Sequence, residues 1–310
     1  MKKTILFVEF CPISGSSQGL LTEITYLQSF HRDDIDYIVV GPKKSIFLQA
    51  SKKMRFPFYE LDVFEPLDIK RHPVRSFFWY IYILVSLLRI ALIHHIDIIH
   101  CNHYMWSIYA NPLGFILNKP VIIHLKDVWL LEPKVARILM KFNPKTHYIA
   151  VSQYVRRLFE DVYKIDKRNM VMIYDGIDGM IFSSSTEKER LSVLNDKRKT
   201  IVMMSRIVPE RDIDIFIDIA ALIHEKYPDI LFHHYGYSKD HSNRDYFNVL
   251  KTRVASLGLG ASFRFHPYES HPEVVAKIFR KAFLSIVPGR QFALPNTAFI
   301  FFYFMVKILF

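Results

Sequence analysis

Cysteine is nearly absent. Cys11 and Cys101 are the two in 310 residues, too few for a disulfide framework, and no His or Cys near them stands at structural-zinc spacing. That scarcity argues against a disulfide-stapled secreted module and fits a reducing cytosol. A signal-peptide core is missing as well: Met1-Lys2-Lys3-Thr4 is basic, but the apolar run Ile5-Leu6-Phe7-Val8 stops at Glu9, which predicts a first β-strand. No unbroken apolar stretch reaches the roughly 20 residues of a membrane span. Phe77 to Ile93 comes nearest, yet Ser86 and Arg89 interrupt it, so it reads as a buried or interfacial helix; the apolar tail Ala298 to Phe310 is shorter still. Internal repeats and long low-complexity runs are absent. So are zinc-finger, helix-turn-helix and aromatic RNA-reading motifs, and no nucleic-acid partner is expected.

What is present is apolar and basic. Hydrophobic residues make up 51% and charged residues 23%, enough for two folded domains. Lys and Arg outnumber Asp and Glu by 41 to 30, and the net charge of +11 favours an anionic partner such as nucleotide phosphates or an acidic membrane surface. Short β-rich runs at Ile5–Phe10, Tyr37–Val40, Ile96–His100, Val121–His124, Tyr148–Val151 and Val171–Tyr174 alternate with helical patterns. Such alternation predicts an α/β fold with a parallel sheet covered on both faces, binding ligands beyond the carboxyl ends of its strands. A polar stretch, 183–199, reads as a linker between an N-terminal domain, 1–182, and a second alternating series, 200–310. That series starts with a strand at Thr200–Met204 and a helix at Ile213–Lys226, whose Ile213, Phe216, Ile217 and Ala220 keep helical spacing.

Several segments carry candidate chemistry. Ser14-Gly15-Ser16-Ser17-Gln18-Gly19 follows the first strand, where a loop without bulky side chains lets a phosphate or sugar approach the backbone; a plain turn explains it equally, and the spacing is not G-x-G-x-x-G. Asp97-Ile-Ile-His100-Cys-Asn-His103 delivers His100 to the sheet's carboxyl edge, with His103 read as a hydrogen-bonded loop residue. Val121-Ile-Ile-His124-Leu-Lys126-Asp127 presents His, Lys and Asp together, for proton handling and anion pairing or as a structural ion pair. In Ser205-Arg206-Ile-Val-Pro-Glu-Arg211-Asp212, two guanidinium groups converge on a helix N-terminus, a phosphate-binding arrangement, with Asp212 expected to cap the helix. The D-x-D triplets Asp34-Ile-Asp36 and Asp212-Ile-Asp214 show no further oxygen ligands around them, so no metal is expected.

The ordered set Asp97–His100, Pro120–Asp127, Ala150-Val-Ser152, Ile173-Tyr-Asp-Gly-Ile-Asp178 and Ser205–Arg211 resembles group-1, family 4-like retaining glycosyltransferases of the GT-B type, from the first strand to about Pro288. The resemblance implies two Rossmann-like parallel-sheet domains, the second incomplete here. It implies a nucleotide-diphosphate sugar as co-substrate, no metal or other cofactor, and a polysaccharide or lipid-linked glycan as acceptor. The expected location is cytoplasmic and peripheral to an anionic membrane surface. Arg206 and Arg211 match the pyrophosphate-gripping pair, Arg211 standing where the family has Lys and Asp212 where a Gly usually follows. His124 resembles the histidine of the catalytic centre, Gly15 the loop after strand one, and His100 and Asp127 are assigned to substrate. Two Glu residues spaced around the sugar and ribose are expected after Pro288; the run 288–299 contains none, which suggests C-terminal truncation. The alternative to an active transferase is a non-catalytic binder of nucleotide sugar or of a partner.

Overall fold

The structure is a computed structural model that describes residues 2–11, 15–43, 45–61, 72–126, 138, 140–176, 178–179, 181–182, 186–237, 243–269 and 271–287. It divides into two compact units, Met1–Gly176 and Ile177–Phe310.

The first unit runs β1 (Lys3–Val8), α1 (Gly15–Phe30), β2 (Ile35–Gly41), α2 (Ile46–Met54), β3 (Phe58–Glu60), α3 (Pro73–Ile93), β4 (Ile98–Cys101), α4 (Ser107–Leu117), β5 (Val121–Leu125), β6 (Thr146–Ala150), α5 (Gln153–Asp161) and β7 (Met170–Met172). Its seven strands lie in the order β3-β2-β1-β4-β5-β6-β7, and every pair is parallel. Consecutive residues Leu6, Phe7 and Val8 are all buried, which requires cover on both faces of the sheet and explains why the strands read as continuous apolar runs. Phe7 packs with Leu20, Ile24, Val39 and Phe47 on one side. The strand order reverses between β1 and β4, and at such a reversal the connections diverge to opposite faces and leave a crevice at the carboxyl edge.

Helix boundaries have local causes. Ser45 accepts a hydrogen bond from the Phe47 amide at the start of α2, and Arg55 ends it in the left-handed conformation at φ 58°. The apolar run at Phe77–Ile93 is the body of α3, the one helix among the described residues long and apolar enough to cross a membrane; Ile83, Leu87, Ile90 and Ala91 bury one of its faces.

The second unit contains α6 (Glu187–Asn195), β8 (Thr200–Met204), α7 (Ile213–Lys226), β9 (Leu231–Tyr237), α8 (Arg244–Ser256), β10 (Phe263–Pro267), α9 (Pro272–Lys281) and β11 (Leu284–Ser285). Its described sheet is parallel, in the order β10-β9-β8-β11. Ile201, Phe216, Ile217, Phe232 and Phe263 form the core on one face, while Val202, Ala276 and Phe279 pack on the other.

Two expectations about the boundary change. Phe182 belongs to the second unit, because it is buried with Val202 and Phe279, and Arg280 donates to the carbonyl of Ile181 at 3.0 Å. The 183–199 stretch is more than a linker: Thr186 and Glu189 form a reciprocal capping box that starts α6.

Candidate functional site

In the first unit, polar side chains gather at the carboxyl ends of β1, β4 and β5. Glu9 follows β1 directly and is fully buried. Its carboxylate accepts from the Cys11 amide at 2.7 Å, from Ser16 Oγ at 3.4 Å and from the Asn102 side-chain amide. Burial raises its pKa above the ordinary carboxylate value, an effect that the Cys11 and Asn102 hydrogen bonds and the Lys126 charge partly offset. Asn102 also donates to the Ser16 carbonyl at 3.0 Å, tying the end of β4 to the first turn of α1.

His100 on β4 and His124 on β5 have ring centroids 5.7 Å apart, and His100 lies 4.9 Å from the Phe7 ring. His100 Nδ1 is 3.6 Å from Glu23, and its Nε2 has no hydrogen-bond partner among the described residues. His124 is 7% exposed, and neither of its ring nitrogens has a hydrogen-bond partner among those residues; Asp175 is nearest, at 3.7 Å from Nε2. Burial pushes the His124 pKa well down, and the charges of Lys126, His100 and His103 push it further, so the ring is neutral near pH 7. The Lys126 side chain, 5% exposed, pairs with Asp175 at 3.4 Å and lies over Gly19, where an added Cβ would come within 3.1 Å of its Nζ. The site is thus an ion pair beside a neutral, hydrogen-bond-capable imidazole in a low-dielectric wall.

Ligand atoms of Glu23, His100 and His124 fall within 4.8 Å of one another. The cationic Lys126 that disfavours protonated His124 disfavours a metal ion there by the same Coulomb interaction.

In the second unit, the loop after β8 is held from below. Ser205 donates its amide to Tyr235 at 3.0 Å, and Ser205 Oγ shares a hydrogen bond of 3.1 Å with buried His234. Gly236 permits this contact: its φ is 155°, and a Cβ there would sit 1.6 Å from the Ser205 carbonyl oxygen. Arg206 is exposed beyond this anchor, and Pro209–Arg211 form one 3-10 turn that puts Arg211 just before α7. Asp212 does not cap α7 as expected. Its backbone is left-handed, φ 49° and ψ 44°, and no side-chain cap bond forms, since a cap needs extended backbone to face the first helical amides.

The predicted residues therefore fall into two groups. His100, His124 and Lys126 come together in the first unit with Glu9, Glu23 and Asp175, while Arg206 and Arg211 share one loop of the second. Gly15 is the exposed first residue of α1 and Gly19 lies within that helix, so this segment is a helix N-terminus and not a turn. His103 is a structural cap, as expected: its Nδ1 accepts from the Met105 amide at 3.2 Å. Asp127 lies outside the described residues. Sequence reasoning passed over Glu9; an acid immediately after a buried strand was its signal, because a buried carboxylate needs dedicated donors.

Residues 25–179 match the family described as Glycosyltransferase Family 4, and residues 184–295 match Glycosyl transferases group 1. A comparison with curated proteins finds no match. Among solved structures, the chain is similar to HepE of Anabaena in complex with UDP and glucose, with TM-score 0.75 and 18% identity over 97% of this chain and 78% of the other. A glycosyltransferase from Rickettsia africae aligns with TM-score 0.70 and 17% identity over 93% and 73%. Sucrose-phosphate synthase from Thermosynechococcus elongatus aligns at 0.68 and 13%, over 96% and 78%. At these identities the likeness is one of fold.

Proposed function

The chain belongs to the group-1 glycosyltransferases of the GT-B fold, and on that premise we propose that it transfers a sugar, with retention of anomeric configuration, from a nucleotide-diphosphate sugar to a polysaccharide or lipid-linked acceptor in the cytoplasm. The observation that carries the reading is His124: a buried neutral imidazole with two unpartnered nitrogens among the described residues, set at the carboxyl edge of a parallel sheet. A buried polar group without a partner is costly unless a ligand completes it, and a sugar hydroxyl both donates and accepts. The UDP-bound state of the Anabaena structure supports the donor class.

In this reading Arg206, Arg211 and the free amides at the start of α7 face the donor's diphosphate. The anomeric C–O bond breaks, the diphosphate leaves with the electron pair, and its growing negative charge is stabilised by the guanidinium groups. The acceptor hydroxyl forms the new C–O bond and its proton passes to the departing phosphate oxygen. In this reading the transfer proceeds without a metal ion. Within the first unit, His124 and the Lys126–Asp175 pair bind sugar hydroxyls, Gly15 at the start of α1 meets a sugar or phosphate, and His100 packs against the His124 ring.

Incubation with a panel of nucleotide-diphosphate sugars and a membrane glycan extract, read by nucleoside diphosphate release and by the anomeric signal of the product, tests this. Release with at least one donor and a product of unchanged configuration is expected; an inverted product would refute retention. The absence of Glu from 288–299 favours a second reading, a non-catalytic binder, which donor binding without any release would establish.

A further inference from the structure

Helix α3 is apolar on two faces, and the protein uses one. Ile83, Leu87, Ile90 and Ala91 are buried in the first unit, and Tyr80 stacks on Tyr109 of α4 at 5.3 Å while donating to the Ile108 carbonyl at 3.1 Å. On the opposite arc Val74, Phe78, Ile81, Val85 and Leu92 are between 38% and 68% exposed. Their spacing repeats the helical period, so they form one stripe along the helix. Soluble monomers rarely leave a contiguous apolar stripe of this size in water without a partner for it.

The charge around the stripe identifies the partner. From Ile69 to Ile96 the sequence carries Lys70, Arg71, Arg75 and Arg89 and neither Asp nor Glu. Arg75 and Arg89 are exposed on α3; at about 1.5 Å of rise per residue they stand roughly 21 Å apart and nearly on the same side of the helix. An apolar stripe flanked by cations with no acid among them complements a surface that is apolar beneath a negatively charged layer.

We propose that α3 lies in the plane of an anionic lipid bilayer surface, with the Val74–Leu92 stripe in the boundary between headgroups and acyl chains and Arg75 and Arg89 among the headgroup phosphates. The helix lies on the membrane and does not cross it, because its other face is already covered by protein and Arg89 borders the stripe. This attachment is independent of the donor chemistry, so either reading can fail without the other.

The full chain is sedimented with phosphatidylcholine vesicles that contain about one quarter phosphatidylglycerol, at low salt and in about 0.5 M salt, and with vesicles of phosphatidylcholine alone. Sedimentation with the anionic vesicles at low salt, and its loss in high salt, is expected. Removing one cation, Arg75→Ala or Arg89→Ala, is expected to weaken binding about fivefold, and the pair Phe78→Glu with Val85→Glu to abolish it while thermal unfolding stays unchanged. Equal sedimentation with both vesicle types, binding indifferent to the Glu pair, or no binding at low salt would overturn the proposal. So would a lipid-free dimer dispersed by Val85→Glu, which would show a second copy covering the stripe.

Discussion

His124 combines features that seldom coexist in a purely structural residue: deep burial, a neutral ring, and two nitrogens that no described side chain satisfies. With a sugar hydroxyl completing it, His124→Ala removes a buried hydrogen bond of about 1–3 kcal/mol to the bound sugar, roughly a tenfold to hundredfold loss in kcat/KM. Steady-state kinetics on a folded variant would show it, and an unchanged kcat/KM would remove His124 from the site. The buried histidines also set the acid response. Burial lowers His103 to about 4 and His234 to about 3, and His100 and His124 shift the same way, whereas unfolded imidazoles titrate near 6.5. The unfolded chain therefore binds protons that the folded chain excludes. Their stabilising contribution is complete above about pH 6.5 and is lost as the pH falls towards 4, up to roughly 3 kcal/mol for His103 alone. Glu9, with its raised pKa, acts in the opposite sense, losing stability as the pH climbs past the ordinary carboxylate range, but it is one group against four. Urea midpoints at pH 7.5 and pH 5 are expected to fall on acidification, with a shallower fall in His234→Gln; a flat profile would contradict the assignment. The positions of His124 and Arg206 were legible in the sequence because His124 lies near the end of an apolar strand and Arg206 follows one. Asp175 was not legible as the partner of Lys126, because that pairing joins the ends of β5 and β7, far apart along the chain.

At the scale of elements, β8 and α7 have the bounds expected from apolar periodicity, Thr200–Met204 and Ile213–Lys226. Where a local signal depended on backbone conformation the reading failed: Asp212 has a capping side chain but not the extended φ and ψ that capping needs. Likewise, the polar composition of 183–199 concealed a helix whose start is fixed by Thr186 and Glu189. Thr186→Ala removes that cap, at an expected cost of about 1 kcal/mol of stability and a lower denaturation midpoint for the second unit, and the loss is expected to shrink below the Glu189 pKa, which the Thr186 hydrogen bonds lower. Gly236 links fold to site. In Gly236→Ala the new methyl group meets the Ser205 carbonyl, so the end of β8 must move. The expected outcome is a loss of about 1–3 kcal/mol in stability together with weakened nucleotide binding. Stability loss with intact binding would show that the Ser205 anchor does not position the arginine loop.

For the whole molecule, two parallel-sheet units and the net charge of +11 were both readable early, since composition and the alternation of strands and helices are global properties. The charge alone left nucleotide, membrane and nucleic acid open; the two proposals divide it by position, Arg206 and Arg211 at one helix start and Arg75 and Arg89 beside an apolar stripe. In the proposed function the loop after β8 holds a nucleotide diphosphate. Calorimetric titration of the full chain with uridine, guanosine and adenosine diphosphates, repeated on Arg206→Ala and Arg211→Ala, tests it most directly. Saturable binding of at least one diphosphate is expected, weakened about tenfold or more by either substitution, since a charge-assisted hydrogen bond contributes about 1.5–3 kcal/mol. No binding by the unaltered chain, or binding indifferent to both arginines, would contradict it.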